Sequence, residues 1–259
     1  MNILISNDDG IESQGILLLA EALKDLGQVT VVAPHRERST SGHSLTLHKP
    51  LRCYEVKPHH FAISGTPADC VYMGTRFILK EKPDIIISGI NCGANLGNDI
   101  YYSGTVAAAR EGAYWGVKAI AFSLCLDKDF SKNNKPYYWD TATQFAKLFV
   151  PLALGKDYPI NNLLNVNIPN LPHSEIKGVK TSKLGRRFYS DDIAERRDPR
   201  GKPYYWLGGS YKGFEEIPGS DCVHVDEGYV SITPLKLDCT DYSLLSEFKN
   251  WEIEFPPNL

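Results

Sequence analysis

The N-terminal stretch of the chain predicts a β-α-β unit, and this unit constrains the fold more than any other feature. A short apolar run at Asn2–Ser6 is followed by apolar residues at helical spacing over 15–26, with Gly27 as a stop, and then by the β-branched run QVTVVA at 28–33. Parallel strands need a crossover connection, and a helix is the usual one. The sequence therefore predicts the start of an open parallel sheet.

The same alternation of strand and helix continues along the chain. Apolar strands are predicted at 84–88, 118–124, 163–168 and 228–234, and extended pieces at 44–56 and 60–63. Helices are predicted at 66–79, where a threonine cap precedes a proline, and at 106–115, 138–153 and 244–251. This pattern is typical of an α/β fold in which helices cover both faces of a mostly parallel sheet.

A segment of different character interrupts this pattern. Residues 183–226 are rich in Arg, Tyr, Gly and Asp, contain the turn sequence DPRG at 198–201 and include the aromatic run PYYWLGG, all of which favour hairpins. Exposed aromatic hairpins tend to pair, so the segment is interpreted as a dimerising arm, with a self-covered insertion as the alternative. The expected organisation is a single domain over 1–259, with a core at 1–175, an arm at about 183–226 and a C-terminal strand and helix at 227–259.

Composition excludes several classes of protein. A chain of 259 residues with 42% hydrophobic and 23% charged residues is an ordinary globular protein. A net charge of -3 without long Lys/Arg runs predicts no binding to nucleic acid or to anionic membranes. The absence of a basic leader, of a long apolar run and of a C-x-x-C pair among the six cysteines predicts a cytoplasmic protein with reduced thiols.

Short polar side chains and glycines follow three of the predicted strands. Asp8 and Asp9 come after the first strand, Ser39 after the second, and Asn91 after the strand at 84–88. The carboxyl ends of strands form the ligand crevice of open α/β sheets, so these residues are expected to meet there. Adjacent carboxylates near 4 Å repel by roughly 4 kcal/mol, so the pair is either solvated or holds a cation.

An oxygen-only set of this kind suits Mg²⁺ or Mn²⁺ better than zinc or copper. The alternative is that Asp8 merely caps the following turn while Asp9 is solvated.

The loop at 95–105 predicts an anion site beside this cluster. It ends in Ser103, Gly104 and Thr105, where a helix begins, and a helix start offers backbone N–H groups and the positive end of the helix dipole. A plain helix cap is the alternative for Ser103 or Thr105. A metal next to an anion site suggests phosphate-ester chemistry, in which His43 either donates a proton to the leaving group or is structural.

Eight motifs together resemble the SurE (survival protein E) family of nucleoside monophosphate phosphatases, also called 5'/3'-nucleotidases. They are NILISNDDGI, VVAPHRERS, SGHSLTL, GTPADCVY, PDIIISGIN, NLGNDIYYSGTVAAAREG, DPRG and DEGYVSITPL. The resemblance spans roughly the whole chain. It implies a Rossmann-like α/β fold and hydrolysis of nucleoside 5'- and 3'-monophosphates, with short polyphosphate as a further substrate in some members.

The resemblance also implies roles for individual residues. One divalent metal ion per subunit, Mg²⁺ or Mn²⁺, is expected on Asp8, Asp9, Ser39 and Asn91, with the two aspartates also catalytic. Substrate binding is expected at Asn95, Ser103, Gly104 and Thr105. Family members form homodimers or homotetramers through an extended hairpin and an exchanged C-terminal segment. One departure is His35, where the family commonly has an aspartate.

Two other functions fit these motifs less well. A haloacid-dehalogenase-like phosphatase with an aspartyl nucleophile needs D-x-D after the first strand, whereas these aspartates are adjacent. A nucleotide-binding module without catalysis is disfavoured because no G-x-G-x-x-G follows that strand. Within the favoured function, a metal-activated water with an aspartate as base is the expected nucleophile, and direct attack by Asp9 stays open.

Overall fold

A nine-stranded sheet lies at the centre of the structure, a computed structural model that describes residues 1–126, 136–249 and 251. Its strands are, in chain order, β1 Asn2–Ser6, β2 Gln28–Pro34, β3 Cys53–Lys57, β4 His60–Ile63, β5 Ile85–Cys92, β6 Lys118–Cys125, β7 Asn162–Pro169, β8 Val179–Thr181 and, because four short strands at 187–214 come before it, β13 Val230–Lys236. Across the sheet the order is β3-β4-β2-β1-β5-β6-β7-β13-β8. The pairings of β3 with β4 and of β13 with β7 are antiparallel, and the others are parallel.

Helices cover both faces of the sheet, as predicted. They are α1 Gln14–Leu23, α2 Pro67–Met73, α3 Gly104–Tyr114, α4 Trp139–Gly155, α5 Asp221–Asp226 and α6 Leu245–Lys249. Neighbouring residues of β1 face opposite sides: Ile3 and Ile5 pack with α1 and α4, whereas Leu4 packs with α2 and α3. The expected α/β architecture is therefore confirmed.

Strand order reverses at β1. From β1 the chain extends through β2 to β4 on one side, and β5, β6 and β7 follow on the other. Ser6 at the end of β1 lies opposite Ser88 of β5. The residues that leave these two strands therefore emerge side by side at the point where open α/β sheets bind their ligands.

An arm of four short strands leaves this core. The strands are β9 Arg187–Tyr189, β10 Ile193–Arg197, β11 Pro203–Leu207 and β12 Tyr211–Phe214. Antiparallel pairs β9–β12 and β10–β11 follow one another outward, and the predicted turn closes the outer pair, where Gly201 N–H donates to the Asp198 carbonyl at 2.9 Å. Every residue of β10 and β11 is exposed. The predicted hairpins are confirmed.

Several predicted elements have different bounds in the structure, among them the helix expected at 66–79, which is α2 Pro67–Met73 followed by a π-helical turn at Gly74–Ile78. Of the extended piece at 44–56, only Cys53–Lys57 forms a strand. The reason is that residues before it bind the start of α2 instead: Thr46 donates its N–H and its hydroxyl to the Asp69 carboxylate at 2.8 and 2.6 Å. The helix expected at 244–251 is α6, and residues 252–259 of the predicted C-terminal segment lie outside the described residues. Among the described helices, none is long and apolar enough to cross a bilayer.

Candidate active site

The turn after β1 is closed by Asn7, which is fully buried. Its side-chain nitrogen donates to the Gly10 carbonyl at 2.9 Å, and its oxygen accepts the Gly10 N–H at 3.2 Å. Gly10 has φ +102°, and a Cβ there would lie 3.2 Å from the carbonyl carbon of Arg36 in the loop after β2. This tight turn holds Asp8 and Asp9 against two different neighbouring segments.

Asp8 faces the start of α3. Its carboxylate accepts the Thr105 hydroxyl at 2.5 Å, and a Cβ added to Gly104 would lie 2.6 Å from the Asp8 Cβ. On the other side, the Asp8 carbonyl accepts the Arg38 N–H at 2.7 Å, which brings the loop after β2 to the same point. Only 5% of Asp8 is exposed.

This environment changes the protonation of Asp8. Burial raises the pKa of the Asp8 carboxyl to about 6, and the nearby Asp9 adds to the rise, while the Thr105 hydroxyl opposes it. The carboxylate is therefore placed where its negative charge is poorly compensated by the protein.

Asp9 faces the end of β5 instead. Its carboxylate accepts the Cys92 N–H at 3.3 Å. Burial raises the pKa of Asp9 as well, the Cys92 N–H lowers it, and the Glu37 carboxylate raises it further. Beside Cys92, Asn91 donates its side-chain nitrogen to the Gly93 carbonyl at 2.9 Å, so its amide oxygen is the atom left for a cation. The ends of β1, β2 and β5 thus meet, as the sequence predicted.

Ser39 is the least enclosed of the four expected metal ligands. It is exposed, and its hydroxyl donates to Glu37 at 2.6 Å. It follows directly after Arg38, whose N–H is bonded to Asp8. Its participation in a metal site stays a prediction.

The donor set fits a hard divalent ion. Asp8, Asp9, Asn91 and Ser39 offer only oxygens as cation ligands. The buried Asp8 and the half-buried Asp9, both of raised pKa, lie together without a cationic partner of their own among the described residues. Within 1–126, 136–249 and 251, no three His, Cys, Asp or Glu side chains gather into a metal-binding group. A site here therefore has two carboxylates at most and depends on neutral oxygens for the rest.

The first turn of α3 has the form of an anion site in contact with this cluster. Ser103 is the helix cap, since its hydroxyl oxygen accepts the Val106 N–H at 3.0 Å. Ser103 therefore acts as a helix cap, which was the alternative to substrate binding. The cap leaves room for a ligand at the helix start, where Gly104 and Thr105 contact Asp8. The Thr105 hydroxyl is bonded to Asp8, and the expected role of Thr105 in substrate binding stays a prediction.

Asn95 is an internal anchor of the loop that leads to α3. It is buried, its side chain donates to Ser123 at 2.8 Å, and its carbonyl accepts from Asn165 and Asn167 at 2.8 and 3.0 Å. Alternating asparagines in the predicted strand LLNVNI were the sequence signal for this network. Direct contact of Asn95 with substrate stays a prediction.

His35 and His43 both have partners within the protein. His35 lies at the end of β2 with its ring Nδ1 3.2 Å from the Ile63 carbonyl. His43 Nε2 lies 2.7 Å from the Glu111 carboxylate, which also accepts the Trp115 indole N–H at 2.8 Å. Glu111 was not predicted from the sequence. It is a buried carboxylate on α3, and its contact with His43 holds the loop that carries this histidine.

Comparison with known proteins decides the family. The model of the family described as Survival protein SurE matches residues 3–191, which is most of the chain. The chain belongs to the SurE family. The resemblance seen in the sequence motifs is confirmed.

Relatives in the SurE family match over almost their whole length. Proteins named 5'-nucleotidase SurE from Geobacter metallireducens and Geobacter sulfurreducens are 45% and 47% identical, covering 97% and 98% of this chain and 98% and 94% of their own. The crystal structure of SurE protein from Aquifex aeolicus superposes with a TM-score of 0.82 at 43% identity, covering 96% of this chain and 98% of that one. This likeness confirms the fold.

Proposed function

We propose that this SurE-family chain is a metal-dependent phosphomonoesterase that hydrolyses nucleoside 5'-monophosphates to nucleoside and phosphate. The observation that carries the proposal is the contact between the start of α3 and Asp8, which sets an anion site against a cation site. Slow reactions such as phosphate-monoester hydrolysis demand such preorganised charges. The enzyme class, a 5'-nucleotidase, is confirmed by the shared name of relatives that match nearly end to end.

The proposed metal is one Mg²⁺ or Mn²⁺ ion per subunit on Asp8, Asp9, Asn91 and Ser39. When bound, such an ion polarises the phosphoryl oxygens and makes water a stronger nucleophile. The raised pKa of both aspartates supports the assignment, because a cation would supply the positive charge that the described surroundings lack.

Residues of the chain would bind the phosphate, orient Asp8 and accept a proton. Ser103 and the backbone of Gly104, at the helix start, would bind the phosphoryl oxygens. Thr105 orients Asp8 through its hydroxyl, so its contribution to substrate binding is indirect. Asp9, the less buried carboxylate, would take the proton from the attacking water.

Several finer points belong to the same proposal. Activity on 3'-monophosphates and on short polyphosphate, and a cytoplasmic location, are proposed from the family resemblance; six cysteines outside any disulfide support the location. Assembly into a homodimer or homotetramer is proposed because the exposed outer hairpin of the arm carries large apolar side chains, among them Ile193, Trp206 and Leu207.

The test is release of inorganic phosphate from AMP and GMP with Mg²⁺ or Mn²⁺, compared with the same reactions in chelator. The Asp8→Asn and Asp9→Asn variants should lose at least 100-fold of the activity. Full activity in chelator would overturn the metal assignment, and no release with either ion would overturn the phosphatase. Assays with 3'-AMP and tripolyphosphate define the range of substrates, and a phosphoaspartate trapped on quenching would make Asp9 the nucleophile.

A further inference from the structure

A mostly buried ion pair joins the arm to the loop that precedes α3. Arg187 of β9 lies 2.5 Å from the Asp99 carboxylate, and only 14% and 18% of the two side chains are exposed. The same carboxylate accepts the Tyr189 hydroxyl at 2.6 Å. The guanidinium is centred 4.2 Å from the Tyr211 ring, which restrains it from within the arm as well.

Two further contacts join the same loop to the base of the arm. The Arg187 N–H donates to the Asn98 side chain at 2.7 Å. Asp221 accepts the Gly97 N–H at 2.8 Å and the Gly185 N–H at 2.7 Å, so one carboxylate links loop and arm. A Cβ on Gly97 would lie 2.6 Å from the Gly185 carbonyl oxygen, which shows how closely the two backbones approach. Three consecutive loop residues are thus held by the arm.

Asp99 is hydrogen-bonded directly to the proposed phosphate site. The Asp99 carbonyl accepts the N–H groups of Tyr102 and Ser103 at 3.0 and 3.1 Å. Ser103 caps α3, and the next residue, Gly104, is packed on Asp8 without room for a methyl group. A displacement of Asp99 therefore moves Ser103 and the helix start relative to the carboxylates.

We propose that Arg187 and Asp99 are positioning residues that let the arm set the placement of the phosphate-binding turn, and hence the affinity for the nucleotide phosphate. The proposal rests on the proposed function for the chemistry of that turn. Metal affinity is expected to change less than phosphate affinity, because two of the proposed ligands, Asp9 and Asn91, are held by contacts at the end of β5 and not by α3. The arm is thereby a structural part of the substrate site as well as an exposed surface.

The test compares Arg187→Gln and Asp99→Ala with Arg186→Gln. Arg186 is the exposed neighbour on the same segment, and its guanidinium meets only the Phe188 ring, 5.5 Å away, among the side chains described. We expect the two pair variants to raise the KM for AMP about tenfold or more, with kcat and the Kd for Mn²⁺ within about threefold of wild type. The control should keep the wild-type KM.

Binding of inorganic phosphate to the Mn²⁺-loaded protein, measured by calorimetry, gives a readout that needs no turnover. It should weaken by the same factor in the pair variants. If wild type releases no phosphate from nucleotides, the proposed function fails, and this titration still decides whether the arm sets anion affinity. Wild-type phosphate affinity and wild-type KM in both pair variants would overturn the positioning role.

A double variant separates positioning from general damage. Because Arg187 acts on the loop through Asp99, Arg187→Gln with Asp99→Ala should be no worse than Asp99→Ala alone within about twofold. Multiplied losses would overturn the proposal. So would a loss confined to Arg187→Gln, since Asp99→Ala removes the same ion pair from the loop side and also the bond from the Tyr189 hydroxyl.

Discussion

Thr105 on α3 and Asp8 after β1 are joined by a hydrogen bond of 2.5 Å, although they are 97 positions apart in sequence. The bond ties the proposed anion site to the proposed cation site. It also opposes the rise in the pKa of Asp8 that burial causes. Any change that breaks this contact should therefore disturb metal binding and phosphate release together.

Thr105→Val removes the hydroxyl while keeping the shape of the side chain. Hydrogen bonds to charged groups contribute about 1.5–3 kcal/mol, so kcat/KM should fall about 10- to 100-fold and the Kd for Mn²⁺ should rise. Thr105→Ser keeps the hydroxyl and should lose less than about threefold. Equal kinetics for the valine and serine variants would show that the bond does not matter.

Gly104→Ala tests the close approach of α3 to Asp8. The new methyl group would lie 2.6 Å from the Asp8 Cβ and 2.8 Å from its Oδ2, so either the helix start or the carboxylate must move. We expect at least a 100-fold loss of phosphate release and about 1–3 kcal/mol lower stability. Gly155→Ala is the matched control, since a Cβ there meets nothing within 4 Å. It should leave activity unchanged, and similar losses in both variants would contradict the packing argument.

Stability in chelator should depend on pH through Asp8. The native pKa of about 6 lies above the value of 3.8 for an unfolded chain, so the native state holds this proton more tightly. The resulting stability is fully present below pH 4 and is lost as pH rises through 6, about 3 kcal/mol in all. Asp9, also raised, acts in the same direction.

Urea unfolding between pH 4 and 7 measures this loss. The difference in free energy of unfolding between wild type and Asp8→Asn isolates it, because exposed carboxylates of lowered pKa, such as Asp238, are common to both proteins. The wild-type curve should fall relative to the variant as pH rises. Parallel curves would mean that Asp8 titrates normally.

Leu207→Lys tests assembly through the arm. Leu207, 86% exposed on β11, belongs to the apolar outer hairpin, whereas Leu47, 87% exposed, lies in a loop of the core. A charge on the hairpin should shift sedimentation towards the monomer by disfavouring burial of that surface, and Leu47→Lys should not. A monomeric wild type, or the same assembly in both variants, would contradict the proposed oligomer.

The meeting of the strand ends was predictable, but the contacts among them were not, and β5 runs on to Cys92, so that Asn91 lies within the strand and not after it. Apolar runs and the crossover rule placed Asp8, Asp9 and Asn91 at one edge of the sheet, because register and direction follow from the β-α-β pattern. The bond of Thr105 to Asp8 depends on how α3 is set on the sheet, and no local pattern encodes that. The pairing of Arg187 with Asp99, 88 positions apart, joins two segments of irregular sequence and was equally out of reach.

The central claim is that Asp8 and Asp9 hold the ion that phosphate release requires. Calorimetric titration of the metal-free chain with Mn²⁺, with phosphate release from AMP measured on the same samples, tests it most directly. We predict one ion per chain, activity that saturates with the same occupancy, and loss of both in the Asp8→Asn/Asp9→Asn double variant. Undiminished Mn²⁺ affinity in that variant, or phosphate release that does not follow occupancy, would contradict the account.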